Sequence, residues 1–290
     1  MKRRDLLKTM CAAGGVSLVG GRLGAEERPP TAPLADRVGV LVDTTKCLGC
    51  RMCEFACATA NDLPQPEASI DRSVERQTSP TQWTVVNRYE TAKGPVTAKR
   101  QCMHCLQPAC ASACLTKAMY KEPEGPVRWR ESKCMGCRFC MVSCPFDAPK
   151  FQYDSPVPKI QKCVMCWERL EQGERPACVA NCPAGALQFG RRSELLDEGR
   201  RRIALEPEKY VHHIYGEREV GGTSWLYLAS VPFEQLGFPA DVGETPFPVY
   251  TREFLYGVPL VLTLAPPLLL ALSRASRARQ IAEGEEEEER

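Results

Sequence analysis

The longest apolar run in the chain lies near its C-terminal end. Phe254–Leu272 reads FLYGVPLVLTLAPPLLLAL, 19 residues without a charge. At ~1.5 Å of rise per residue, a helix of this length just crosses the hydrocarbon core of a bilayer. The pattern therefore predicts a membrane anchor over residues 251–274. Pro259 suits a first turn, but Pro266 and Pro267 fall mid-span. Pro267 would leave the Thr263 carbonyl without its donor, which predicts a kink whose freed groups are satisfied by neighbouring helices. The rival reading is a buried soluble helix or a re-entrant segment. The flank SRASRAR, with Arg274, Arg277 and Arg279, favours the span and keeps that end cytoplasmic by the positive-inside rule. Residues 275–290 then form a charged cytoplasmic tail, and the closing EGEEEEER reads as solvated and disordered.

A second, weaker apolar run lies at the other end. MKRRDLLKTMCAAGGVSLVGGRLGA joins a basic start to a short Gly/Ala-rich stretch, and a polar, Pro-rich segment follows. That order predicts an export signal over residues 1–30. Arg3-Arg4 followed by Asp5-Leu6-Leu7-Lys8 resembles the twin-arginine signal, with Lys2 and Leu6 departing from its usual form. An ordinary basic helix is the plain alternative. A cleavage site near Ala25 is weakly marked, because Leu23 stands where a small residue is preferred. Cys11 reads as a bystander. The two ends imply one topology: the body lies on the periplasmic side of a bacterial inner membrane, exported by a twin-arginine route and held by one C-terminal helix.

Between the ends, cysteine replaces hydrophobic periodicity as the main signal. The 290 residues carry a formal charge of +2, which gives no reason to expect nucleic acid as partner. Of the 17 cysteines, 16 lie between Cys47 and Cys182, which predicts a cysteine-built core with apolar burial secondary in that window. They form four groups of four: Cys47, Cys50, Cys53 and Cys57; Cys102, Cys105, Cys110 and Cys114; Cys134, Cys137, Cys140 and Cys144; Cys163, Cys166, Cys178 and Cys182. Each group ends in a C-x3-C step, and the first and third share the full C-x2-C-x2-C-x3-C pattern. The second widens one gap with LQPA and the fourth with WERLEQGERPA, as loop insertions into a repeated unit would.

Two residues between thiolates let one tight loop aim successive sulfurs at adjacent irons of a cubane, and in two-cluster ferredoxins the fourth cysteine serves the other cluster. That fourth cysteine is expected to begin a helix, with Pro145 and Pro183 in its first turn. Disulfides suit an exported protein, but these tight steps make poor scaffolds for them. Zinc uses paired C-x2-C elements and does not call for the third and fourth cysteines. Four [4Fe–4S] clusters fit best, and a twin-arginine route would carry them across already folded.

The window resembles the four-cluster ferredoxin-type β subunits of membrane-associated oxidoreductases, such as those of formate dehydrogenase, dimethyl sulfoxide reductase and polysulfide reductase. RQCMHC, CRFCMVSCP, CPAGAL, the block YGEREVGGTSWLYLASVPFEQLGFP over Tyr215–Pro239 and the single C-terminal span narrow this. Together they are similar to the hydrogenase-2-type iron–sulfur subunit over nearly the entire chain. The resemblance implies an α+β fold of two ferredoxin-like modules with insertions over residues 36–195. A C-terminal extension or docking segment over 196–250 and the one transmembrane helix would follow. It also implies crossed ligands: Cys47, Cys50 and Cys53 with Cys182; Cys163, Cys166 and Cys178 with Cys57; Cys102, Cys105 and Cys110 with Cys144; Cys134, Cys137 and Cys140 with Cys114.

A row of such clusters is a wire. Lys46, Arg51, Lys133, Arg138 and Lys162 sit beside ligands and would raise potentials, dock a partner or simply be solvated. No phosphate loop, dinucleotide fingerprint or nucleophile–base set is present. The three histidines, His104, His212 and His213, lie outside the apolar span, and His104 reads as structural rather than as a ligand. The expected role is a non-catalytic electron-transfer subunit. Its expected partners are the small and large subunits of a [NiFe] hydrogenase and an integral membrane quinone-binding subunit. The alternative is the β subunit of a molybdopterin enzyme, acting on formate or on sulfur or nitrogen oxyanions.

Overall fold

The computed structural model describes residues 37–71 and 73–288. The proposed export signal, with Cys11, lies outside the described residues. The fold begins with β1 (Val38–Asp43), the middle strand of a three-stranded sheet. Its sequence VGVLVD is apolar at nearly every position because both faces are covered. Val40 and Val42 face one core with Trp225 and Tyr227, while Leu41 faces another with Leu195, Leu196 and Leu226. The side-chain alternation of a strand thus divides the sequence between two cores.

One neighbour of β1 is β8 (Leu187–Arg191), antiparallel, with Val42 opposite Leu187. The other is β9 (Trp225–Leu228), parallel, with Val40 opposite Trp225. The helix α6 (Arg192–Leu205) leaves β8 directly and lays Leu195 and Leu196 on the second core. Segment 196–250, expected as an extension, therefore supplies a strand to the central sheet. An apolar core stands beside the cysteines, and its two largest fully buried side chains, Trp225 and Tyr227, come from outside the cysteine window.

The cysteine-bearing part is made of small pieces. The helix α1 (Met52–Ala60) carries Cys53 and Cys57 of the first group and the hairpin β2 (Val85–Thr91) with β3 (Gly94–Arg100) follows it. Next come α2 (Ala109–Ser112), the paired β4 (Met119–Lys121) and β5 (Val127–Trp129), and α3 (Phe139–Val142). Then follow the paired β6 (Lys150–Phe151) and β7 (Ile160–Gln161), α4 (Trp167–Glu171) and α5 (Ala177–Ala180). The helices pack in crossed pairs, α1 on α5 and α2 on α3.

The last element is α7 (Phe247–Glu288), one helix running through Pro259, Pro266 and Pro267. Within it, Phe247–Ala278 is long and apolar enough to cross a membrane, its most apolar 18-residue window having a mean hydropathy of 2.0, and its apolar side chains are exposed. The Thr263 hydroxyl donates to the Pro259 carbonyl at 2.9 Å, so a side chain serves one acceptor of the proline-bearing stretch. The acidic tail, expected as disordered, continues this helix to Glu288, in keeping with the helix propensity of its Glu, Ala and Arg residues.

One buried carboxylate ties α1 to the β2–β3 hairpin. Glu54 is 1% exposed and accepts from Arg51 Nε at 3.0 Å, Arg76 Nη2 at 2.5 Å, Gln82 Nε2 at 3.0 Å and the Val86 amide at 2.6 Å. Removing one member of a buried ion pair strands the others. Glu54→Ala is expected to cost about 3–5 kcal/mol, read as a lowered midpoint of chemical denaturation. An unchanged midpoint would show that the Arg51 and Arg76 guanidinium groups do not depend on it.

Candidate iron–sulfur site

All sixteen cysteines of the four groups are free thiols, and the structure brings them together across groups. Cys47, Cys50 and Cys53 line one recess with Cys182. Cys163, Cys166 and Cys178 line another with Cys57. Asn61 spans the second, its Nδ2 lying 3.7 Å from the Cys57 sulfur and 4.0 Å from that of Cys166. Cys105 has Cys144, Cys102 and Cys110 as its electrostatic neighbours, and Cys140 has Cys114, Cys134 and Cys137. Three further electrostatic couplings link the sets in a row. Cys53 neighbours Cys178, Cys163 neighbours Cys102, and Cys110 neighbours Cys140.

Strand register does much of this gathering. Val42 and Leu187 are paired residues of β1 and β8; counting five residues on from Val42 and five back from Leu187 reaches Cys47 and Cys182. Met119 and Trp129 are paired in β4 and β5; the same count, back from Met119 and on from Trp129, reaches Cys114 and Cys134. One antiparallel device is used twice.

The loops also repeat. The residue before the second cysteine has a left-handed backbone in every group: Gly49 (φ 64°), His104 (φ 49°), Gly136 (φ 71°) and Met165 (φ 56°). Such residues turn successive amides towards a common point, a conformation suited to anionic iron–sulfur groups. Three residues after the fourth cysteine, Lys117, Asp147 and Gly185 are left-handed too, each donating its amide to that cysteine's carbonyl. The first group differs there because α1 continues past Cys57.

The expected helix start at the fourth cysteine is not what forms. Helices α2, α3 and α5 carry the third cysteine and end two residues before the fourth, and Cys57 lies inside α1. Pro145 and Pro183 therefore follow a helix end, a position that also suits a residue without an amide hydrogen.

Burial favours the protonated form of eight of these thiols. It pushes Cys53 and Cys163 up to about 12 and Cys140 and Cys144 up to about 11, and it raises Cys57, Cys105, Cys110 and Cys178 as well. Neighbouring thiols add to the effect, and Lys99 pulls against it at Cys53 and Cys163. At Cys114, burial is outweighed by the Met119 amide at 3.3 Å and the Thr116 hydroxyl at 3.7 Å, and its value falls. Metal binding must displace these protons, which demands strongly cationic centres. Among the described residues no three His, Cys, Asp or Glu side chains stand close enough to hold one ion. The Cys47 and Cys57 sets each line a recess, and four thiols about one recess suit a cubane cluster.

The five basic residues beside ligands have different fates. Arg51 is bound by Glu54, and Lys162 is buried with its ammonium on the Val127 and Cys163 carbonyls. Lys133 and Arg138 are exposed, and Lys46 lies 4.0 Å from Asp43. His104 is fully buried and accepts the Val127 amide at Nδ1 (2.8 Å), and burial drives its value far down, so the ring is neutral. Lys99 and Asn61 were not legible as site residues, because neither is next to a cysteine. The left-handed positions were half legible, through Gly49 and Gly136.

These features define an iron–sulfur protein of the ferredoxin type. A family profile described as a 4Fe-4S dicluster domain matches residues 96–192. A protein of Nitratidesulfovibrio vulgaris strain Hildenborough is 44% identical over the whole of this chain and 80% of its own. The hydrogenase-2 operon protein HybA of Escherichia coli O157:H7 is 37% identical over 82% of this chain and 84% of its own. The iron–sulfur subunit of the nitrate-inducible formate dehydrogenase of Escherichia coli K12 is 32% identical over 70% and 73%. The chain belongs to the HybA-like family of ferredoxin-type iron–sulfur electron-transfer subunits.

The loop glycines separate two effects. A Cβ at Gly49 would lie 2.9 Å from Thr97 Cγ2, whereas one at Gly136 meets nothing within 4 Å. Both positions carry a left-handed cost of roughly 1–2 kcal/mol for alanine. Gly49→Ala must also shift the Thr97 side chain, whose hydroxyl donates to the Cys47 carbonyl, and is expected to lose more iron than Gly136→Ala. Equal iron per chain in the two variants would remove Thr97 from the account.

Proposed function

We propose that this chain is the non-catalytic wire of a membrane-bound, periplasm-facing [NiFe] hydrogenase. It would relay electrons through four [4Fe–4S] clusters between the hydrogenase subunits and a quinone-reactive membrane subunit. The observation that carries this is the row of four thiol sets. Cys47, Cys50, Cys53 and Cys182 stand at one end, then Cys57, Cys163, Cys166 and Cys178, then Cys102, Cys105, Cys110 and Cys144, then Cys114, Cys134, Cys137 and Cys140. Each set would ligate one cluster, arranged as two ferredoxin-like modules that the α1–α5 and α2–α3 contacts support. The clusters take up and release single electrons; the chain's part is to space them, exclude water and set their potentials.

The two ends of the row are also the open ones. Cys50 and Cys137 are exposed, the first beside Leu48 and Met52, the second beside Met135 and Phe139, all four exposed apolar residues of the kind that mark docking surfaces. Because α2 lies against α7, the Cys137 end is assigned to the membrane and quinone side, and the Cys50 end to the hydrogenase. Periplasmic placement rests on the twin arginines and on the Arg-rich flank of the apolar span.

The second reading is the β subunit of a formate dehydrogenase or related molybdopterin enzyme. It is favoured by the 32% identity to the formate dehydrogenase subunit. Purified complex is expected to reduce quinone with hydrogen and not with formate; the opposite result would replace the first reading by the second. The cluster count is checked by iron and sulfide analysis, expected at about sixteen of each per chain. Cys182→Ser is expected to remove about four irons and to abolish one reduced-cluster resonance. Zinc, or no metal, in the wild-type chain would sink the iron–sulfur reading.

A further inference from the structure

One side chain lines both the recess of Cys47, Cys50, Cys53 and Cys182 and that of Cys57, Cys163, Cys166 and Cys178: Lys99, on β3. It is 2% exposed. Its ammonium donates to Gln101 Oε1 at 2.7 Å and stands 4.3 Å from the centre of the Trp225 ring. Both contacts are neutral, and among the described residues no carboxylate forms an ion pair with it. A buried ammonium with only neutral partners is costly. The cost is met if anions flank it on both sides. A cubane held by four thiolates is such an anion, and reduction adds one more negative charge.

A fixed cation stabilises the reduced, more negative form of each neighbour more than the oxidised form. We propose that Lys99 is a shared positioning charge that raises the reduction potentials of the two clusters it separates and leaves the other two unmoved. This inference rests on the four-cluster reading. It adds that adjacent clusters are tuned as a pair by one side chain. Gln101 has a stated part: its carbonyl oxygen holds the ammonium, while its amide donates to the Tyr227 hydroxyl at 2.6 Å and is thereby fixed.

The test uses the full-length chain with its clusters in place, followed by redox titration with paramagnetic resonance detection and by iron analysis. Lys99→Gln is expected to lower two of the four midpoint potentials and to leave the iron content unchanged. Lys99→Arg is expected to retain both. Should Lys99→Gln lose iron, Gln101→Glu carries the test. It places a carboxylate against the ammonium and is expected to lower the same two potentials. Four unmoved potentials, or one uniform shift of all four, would overturn the role of Lys99. A wild-type chain with fewer than four clusters would instead overturn the reading beneath it.

Discussion

The antiparallel pairing of β1 with β8 is the constraint on which the rest of the molecule depends. It brings together thiols that are 135 positions apart in the chain, Cys47 and Cys182, by setting Val42 opposite Leu187. A slip of one residue would turn every side chain of β1 to the opposite face. Val40 and Val42 would leave the core they share with Trp225 and Tyr227, and Leu41 would leave Leu195. The apolar sheet is thus the device that keeps thiol register. Its two cores penalise any other alignment, and small cysteine loops could not do that for themselves.

This division of labour explains why the Tyr215–Pro239 block is so distinctive as a sequence. It carries no cysteine, yet Tyr215, Trp225, Tyr227, Phe233 and Phe238 are all buried, and the Tyr215–Phe238 and Tyr227–Phe238 ring centres lie 4.9 and 4.8 Å apart. Large rings in contact tolerate few replacements. The Tyr215 hydroxyl donates to the Pro239 carbonyl at 2.9 Å and closes the block on itself. In this segment the aromatic side chains cluster with Val40, Val42 and Leu187 of the central sheet.

The cysteine grouping and the apolar C-terminal run were legible in the sequence because both are local signals. Spacing within a group reports loop geometry directly, and a run of uncharged residues reports helix length. The crossing of groups was legible only by resemblance, since no spacing reveals that α1 packs on α5. The contribution of β9 was not legible as a sheet strand, because WLYL is short and its partner β1 lies far away in sequence. Lys99 was hidden for a related reason. Its neighbours Val96 and Ala98 point to a strand, but its burial depends on elements from three other parts of the chain. The left-handed residues were visible where glycine occupies them and invisible at His104 and Met165, whose conformation is imposed by the fold.

The nested order of the thiol sets also bears on how the molecule is made. The two sets that are inner in the chain draw only on residues from Cys102 to Cys144, so their thiols are complete early in synthesis. The two outer sets wait for Cys178 and Cys182. Until those residues emerge from the ribosome, Cys47, Cys50, Cys53 and Cys57 are thiols without their full company. The sets are therefore completed from the Cys137 end of the row towards the Cys50 end. The last thiols to find their company are thus those at the Cys50 end of the row.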